Sequence, residues 1–293
     1  MFEGEHASLN AIHNAVPSLC PKSFAWGKLE KGGFFLATEF LEFRGGGLSR
    51  TRAGGGGGSA SKGSGMSLAQ KLAKLHSTPA PTPEGYEKPQ FGFPVTTCCG
   101  DTPQKNEYSS SWADFFANSR LLAILDRCEQ NNGRDPELRR TVERTVQEVV
   151  PRLLGDGHLG GKDGITPVVV HGDLWSGNKS KGVFMRRGGT EDDNDNDNNT
   201  ASATEDVVFD PSATYAHNEY DFGIMNMFGG FPSSFWREYH AVLPKTEPQD
   251  EYDDRVALYE SYHHLNHYAI FGSGYKSGAV GILKGLLRKY GDK

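Results

Sequence analysis

Val168-Val169-Val170-His171-Gly172-Asp173-Leu174-Trp175-Ser176-Gly177-Asn178 is the stretch whose reading decides the fold. Three β-branched apolar residues in a row have the composition of a buried strand, and His-Gly-Asp ends the run. Asn178 lies five residues beyond Asp173. A second apolar run, Val207-Val208-Phe209, leads straight into Asp210, 37 residues beyond Asp173. Taken singly, each is a strand followed by an Asp turn, a common arrangement. Taken together, they supply oxygen ligands of the kind a hard cation prefers, and a carboxylate suited to orienting a hydroxyl nucleophile.

Phosphoryl transfer needs both parts. In the loop of kinase-type enzymes an Asp accepts the proton of the attacking hydroxyl and an Asn five residues on holds Mg²⁺; a further Asp, after a neighbouring strand, is the main metal ligand. Asp173, Asn178 and Asp210 stand in this order and spacing. The expectation is Asp173 as base, His171 holding the loop through backbone contacts, Asn178 and Asp210 on Mg²⁺, and ATP as donor.

Around these residues the sequence resembles the fructosamine-3-kinase (ketosamine-3-kinase, protein-ribulosamine 3-kinase) family, distant relatives of aminoglycoside and choline kinases. The resemblance is carried by His171 to Asn178 with Trp175, by Phe209-Asp210-Pro211-Ser212, and by Glu219-Tyr220-Asp221. It continues through Met227-Phe228-Gly229-Gly230-Phe231, Leu265-Asn266-His267 and Phe271-Gly272-Ser273-Gly274-Tyr275, and upstream through Met1 to Glu5 and Thr97-Cys98-Cys99-Gly100. It implies a two-lobed, protein-kinase-like α+β fold with a mostly helical C-lobe. It implies MgATP-dependent phosphorylation of the 3-hydroxyl of sugars on glycated protein amines, or on small ketosamines, giving an unstable product that falls away. It also places Glu5 on the N-lobe helix as partner of the phosphate-binding Lys, and Glu39, Phe40 and Leu41 at the hinge that meets adenine. His263 and Asn266 would look toward the substrate. Trp175 would offer its ring to the sugar or its cationic amine, with a core aromatic as the plainer reading.

The chain divides by composition into residues 1–43 (a helix, a hairpin and the hinge), a Gly/Ser-rich insert at 44–66, and a C-lobe at 67–293. Met1 to Ala15 reads as a helix with Phe2, Leu9 and Ile12 on its inner face, and Phe34 to Leu41 as one strand after the Lys31-Gly32-Gly33 turn. Leu68, Leu72 and Leu75 mark a first C-lobe helix. Ser111 caps a second, Asp135-Pro136 opens a third, and Tyr252 to Ile270 and Lys276 to Tyr290 close the chain. The Gly-rich phosphate loop and its Lys would precede the Glu5 helix, and the glycines at 45–47 and 54–58 read as linker. The expectation is therefore an incomplete N-lobe, a gene product truncated at its N-terminus, and little turnover from the chain as written.

Other features are weaker. Asp193, Asp195 and Asp197 alternate as in a calcium loop but lack its Gly and final Glu, so a solvated insert is expected. Asp221-Phe222-Gly223 spells the metal motif of protein kinases, yet no apolar strand precedes it. Asp221 is expected to brace the catalytic loop, while His217 and Glu219 face the cleft or cap the surface. His263 and His267 share a helical face without the acidic partner of a zinc site.

The net charge of −6 and pI near 5.9 offer no footprint for nucleic acid or an anionic membrane. No run reaches a membrane span and the N-terminus has no secretory pattern, so a cytoplasmic location is expected. Four cysteines are too few for a disulfide framework in 293 residues. Two alternatives stand beside the main reading: a kinase for another small hydroxylated amine, and a non-catalytic kinase-like binding protein.

Overall fold

Phe2–Ala15 is the expected helix, burying Leu9 and Ile12 together with Gly4 and Ser8. In this computed structural model, which describes residues 1–43, 65–184 and 204–291, that helix lies against the Thr96-Thr97 segment. Gly4 permits the approach, since a Cβ there would stand 2.5 Å from the Thr96 carbonyl oxygen. The glycines at 45–47 and 54–58 and the Asp/Asn alternation at 193–197 lie outside the described residues.

Ser23–Lys28 and Phe34–Thr38 form the antiparallel hairpin, with Trp26 opposite Leu36. One expectation needs correction. The second strand does not run on to Leu41. It stops at Thr38, and Leu41–Phe43 pairs instead with Lys179–Phe184, which also pairs with Glu205–Val208. The chain turns at Glu39 because its N–H donates to the Lys22 carbonyl at 2.8 Å while its carboxylate accepts the Lys22 N–H at 2.8 Å. Residues 39 and 40 thereby join the small lobe to a C-lobe sheet. The hairpin leaves Phe24 and Phe34 exposed.

The C-lobe is built on helices. Leu68–Ser77 starts with a capping box between Ser67 and Gln70, which satisfies two otherwise orphaned donors. Trp112 to Asn132 is one continuous helical stretch whose middle, Phe116–Leu122, is π-helical. Tyr252–Phe271 runs through the centre, packed against Tyr220–Phe228 and Lys276–Tyr290. Aromatic rings fill the core: Trp112 meets Tyr220 at 5.7 Å and Phe116 meets Tyr259 at 5.2 Å, both edge to face.

Val168–Val170, wholly buried, pairs antiparallel with Thr214–Ala216, Val170 lying opposite Thr214. This register positions the site. The residues just after Val170 and those just before Thr214 emerge from the same end of the ladder. No helix among the described residues is long and apolar enough to cross a membrane. All four cysteines are free.

Candidate active site

Two loops leave that end of the ladder, and backbone hydrogen bonds stitch them together. Ser212 N–H donates to the His171 carbonyl at 2.9 Å, and Phe209 N–H to that of Asn178 at 3.1 Å. His171 adds a third link. Its Nδ1 accepts the Asp173 N–H at 3.2 Å, so the ring proton is on Nε2, which donates to the Phe209 carbonyl at 3.0 Å. Burial holds the His171 pKa below its ordinary value, keeping the ring in this neutral tautomer. Gly172 is required where it stands. Its φ is +80°, and a Cβ would fall on the Ser212 carbonyl oxygen. Asp210 also has positive φ, +55°, a left-handed turn that Asp tolerates better than most residues.

Beneath the first loop, Asp221 accepts the His171 N–H at 2.8 Å on one carboxylate oxygen and the Gly172 N–H at 2.7 Å on the other. His76 reaches the same carboxylate at 3.1 Å and is itself held by Tyr239 at 2.9 Å. Burial pulls the fully buried Asp221 upward, yet its pKa is lowered on balance, because the His76 hydrogen bond and the Gly172 N–H outweigh that pull. The brace expected of Asp221 is therefore present in the geometry. Nothing local in the sequence signalled His76, 145 residues away.

The side chains above the brace face one another. Asn178 Nδ2 donates to the Asp173 carbonyl at 2.9 Å and lies 3.4 Å from its carboxylate, leaving Oδ1 as a hard oxygen. Asp173 has its pKa pushed up to about 7, first by burial, then by the negative charges of Asp210 and Asp221, against the Asn178 hydrogen bond. Glu5 is raised too, by burial and then by Asp210. The N-terminal helix is docked here by Ser8, whose hydroxyl accepts the Ala213 N–H at 3.1 Å and donates to the Gly4 carbonyl at 2.7 Å. Among the described residues no Lys or Arg pairs with Glu5, the pairing that the family resemblance implies.

These residues fit a divalent cation. The Asp210 charge that raises Asp173 and Glu5 belongs to a negative field that added positive charge relieves. Among the described residues no three His, Cys, Asp or Glu side chains form a metal cage. Mg²⁺ takes one or two carboxylates and completes its shell with water and substrate phosphates.

The remaining candidates are spread around this centre. Glu39 spends its backbone N–H on Lys22, and its carbonyl accepts the Thr38 hydroxyl at 3.1 Å. Trp175 is 39% exposed, so it is not a core aromatic; its ring packs on Phe228 at 5.7 Å and covers Gly177. His263 and Asn266 are buried rather than open to the cleft. Asn266 donates to the Cys99 carbonyl at 3.2 Å, and the Asp173 charge is felt at Cys99, whose thiol is pushed up chiefly by burial. They form a layer behind the candidate base. Among the described residues neither ring nitrogen of His263 has a hydrogen-bond partner, and burial pushes its pKa down to about 3.

Two expectations are corrected. His217 and Glu219 neither face the cleft nor cap a surface, for both are buried. Glu219 pairs with Arg255 through two hydrogen bonds, 2.7 and 3.1 Å, and accepts the Thr246 N–H at 2.9 Å. His217 lies between the Tyr259 and Thr246 hydroxyls, each at 2.9 Å.

An α+β chain of two lobes, with paired acidic loops beside their junction, has the architecture of a kinase-like phosphotransferase. The fructosamine kinase family model matches residues 1–289, and the chain belongs to that family. It is 32% identical over 289 residues to a ketosamine-3-kinase of Mus musculus, covering 98% of this chain and 83% of the mouse protein. It is 34% identical over 288 residues to a chloroplastic protein-ribulosamine 3-kinase of Arabidopsis thaliana, covering 98% of this chain and 72% of the plant protein. A crystal structure assigned as a fructosamine-3-kinase of Thermobifida fusca shares the fold, with a TM-score of 0.69 and 24% identity over 98% of this chain and 80% of that one.

Proposed function

We propose that the site transfers the terminal phosphoryl group of MgATP to the 3-hydroxyl of a ketosamine, a fructosamine or ribulosamine carried by a protein amine or a small molecule. The observation that carries this reading is the stitched pair of loops holding Asp173 beside Asn178 and within the field of Asp210. Asp173 orients the sugar hydroxyl and takes its proton. A carboxylate with a pKa near 7 is matched to that task at neutral pH. Asn178 Oδ1 and Asp210 would hold Mg²⁺, whose positive charge, when bound, would offset the negative charge of the group in transfer. His171 and Asp221 keep the loop in register; Trp175, exposed beside the base, lies against the substrate's amine or sugar. The 3-phosphate then leaves as inorganic phosphate by β-elimination from the enol form, and water hydrolyses the resulting imine, releasing the free amine and a 3-deoxy dicarbonyl sugar.

The test is ADP release with MgATP and ribulosyl-lysine, followed in parallel with wild type and Asp173→Asn. A ketosamine-dependent rate, however slow, that disappears in the variant while ATP binding persists is the expected result. Equal rates in the two proteins would remove Asp173 from the chemistry. A rate with choline or an aminoglycoside but none with ribulosyl-lysine would replace the substrate class.

A further inference from the structure

Arg120 lies on the π-helical segment Phe116–Leu122 and is fully buried. Among the described residues it has no carboxylate partner. Its terminal nitrogens donate to the carbonyls of Lys105 at 2.7 Å and Ser119 at 3.0 Å and to the Asn106 side-chain oxygen at 2.9 Å. Its guanidinium also sits 4.7 Å from the centre of the Phe115 ring. All of these are neutral groups. A guanidinium removed from water without a counter-charge is costly, and buried arginines are normally paired.

The side chain lines a cavity of about 200 Å³ on the C-lobe. Among the described residues three donors around that cavity are buried without a well-aligned hydrogen bond, Arg120 Nε, Thr102 Oγ1 and Arg127 Nε, although the Arg120 side chain also acts on the buried Tyr220 hydroxyl. Lys105 and Tyr262 also line it. One acid, Asp126, lines the cavity as well, and Arg139 engages it at 3.0 Å. Asp101 pairs with Arg127 at 3.0 Å, but it is 64% exposed, so solvent weakens that pair. Charge and hydrogen-bonding capacity in the cavity are both left over, and both have the sign that an oxyanion satisfies. Local π-helical geometry recurs where a helix presents a functional side chain.

We propose that this cavity is a binding site for a small oxyanion, a phosphate or carboxylate group held between Arg120 and Arg127 and accepting the Thr102 hydroxyl. None of its lining residues belongs to the Asp173–Asp210 loops, though Gln104 in its wall accepts the Ser212 hydroxyl at 2.7 Å, and the site is tested without turnover.

Calorimetric titration with inorganic phosphate and, separately, with succinate, at ionic strength fixed by sodium chloride, reads the site directly. Saturable binding of one or both anions is expected, and their ranking tells phosphate from carboxylate. Thr102→Val, which removes one hydroxyl at nearly constant shape, should weaken binding about fivefold. Arg127→Gln, whose side chain is partly exposed, should weaken it about tenfold. Thermal unfolding checks that both variants fold, and Asp173→Asn should bind as wild type does. The proposal is overturned if neither anion saturates, or if binding is indifferent to both cavity variants. Loss in Asp173→Asn alone would place the anion at the loops and overturn it equally.

Discussion

Asp221 divides its carboxylate between the backbone N–H groups of His171 and Gly172, at 2.8 and 2.7 Å, and so fixes the loop that carries Asp173 without reaching the chemistry itself. A loop that must expose an acid cannot be held by burying that acid. Here the backbone just before it is anchored instead, and the anchor belongs to the helix Tyr220–Phe228. The three-letter metal motif that begins at Asp221 is thus used for bracing, and Asp210 is the residue proposed above to hold the metal.

Removing that brace should cost both stability and rate. Asp221→Ala leaves two buried N–H groups unpaired and His76 without its acceptor, a loss of about 3–5 kcal/mol in chemical denaturation. Asp221→Asn, which keeps one acceptor oxygen, should lose less. Because its folded-state pKa is lowered, the Asp221 contribution is complete above the unfolded carboxylate pKa and disappears as pH falls through the folded value. Wild type and Asp221→Ala should therefore converge in stability on acidification; a gap that persists unchanged into strong acid counts against the assignment.

Asp173 should show the opposite sign. Its pKa is raised to about 7, so burial of the ionised form opposes folding, and the stability present below the unfolded pKa is lost as pH rises through the folded one. Asp173→Asn should therefore unfold at a higher temperature than wild type at pH 8, by at most about 4 kcal/mol in free energy, with no difference near pH 3. Catalysis needs the ionised form. The acid limb of kcat/KM should lie near pH 7 at low magnesium and move to lower pH as magnesium is added. A limb that ignores magnesium would separate Asp173 from the metal site.

The loops were legible in the sequence because strand, Asp and Asn follow one another within short stretches. Leu9, Ile12 and the Leu68–Leu75 row likewise announced their helices by spacing. Distance hid the rest. His76 joins Asp221 across 145 residues and Arg255 joins Glu219 across 36, and no local pattern encodes either pairing. Glu39 read as the continuation of a strand because its backbone partner, Lys22, comes from before the hairpin. His263 and Asn266 have the polarity of cleft residues, but the Cys98–Cys99 ladder lies over Asn266, and only coordinates reveal such a cover.

The Glu219–Arg255 pair separates structure from chemistry. Glu219→Ala strands a guanidinium in the core and should cost about 3–5 kcal/mol, whereas replacing both partners by Met should cost clearly less. A double-mutant cycle read by denaturant unfolding measures the difference. If Glu219 acted on substrate instead, the single variant would keep its stability and lose its rate.

Trp175 is the position at which substrate and stability effects should part most cleanly. Its ring is held from one side by Phe228 and otherwise meets solvent beside the base, so Trp175→Ala should change the unfolding temperature little. If the ring faces the protonated amine of a ketosamine, its removal forfeits a partly desolvated cation–π contact of about 1–2 kcal/mol, a rise in KM of roughly five- to thirtyfold. Trp175→Phe should recover part of that loss, because a smaller ring keeps a negative face. Gly177→Ala offers an independent check. Its new methyl would fall on the Trp175 ring and push it aside, so this variant should copy the KM effect with the indole still present. KM values for ribulosyl-lysine and for ribulose, which lacks the amine, should converge in Trp175→Ala. If the two substrates lose affinity equally, the ring serves the sugar rather than the cation.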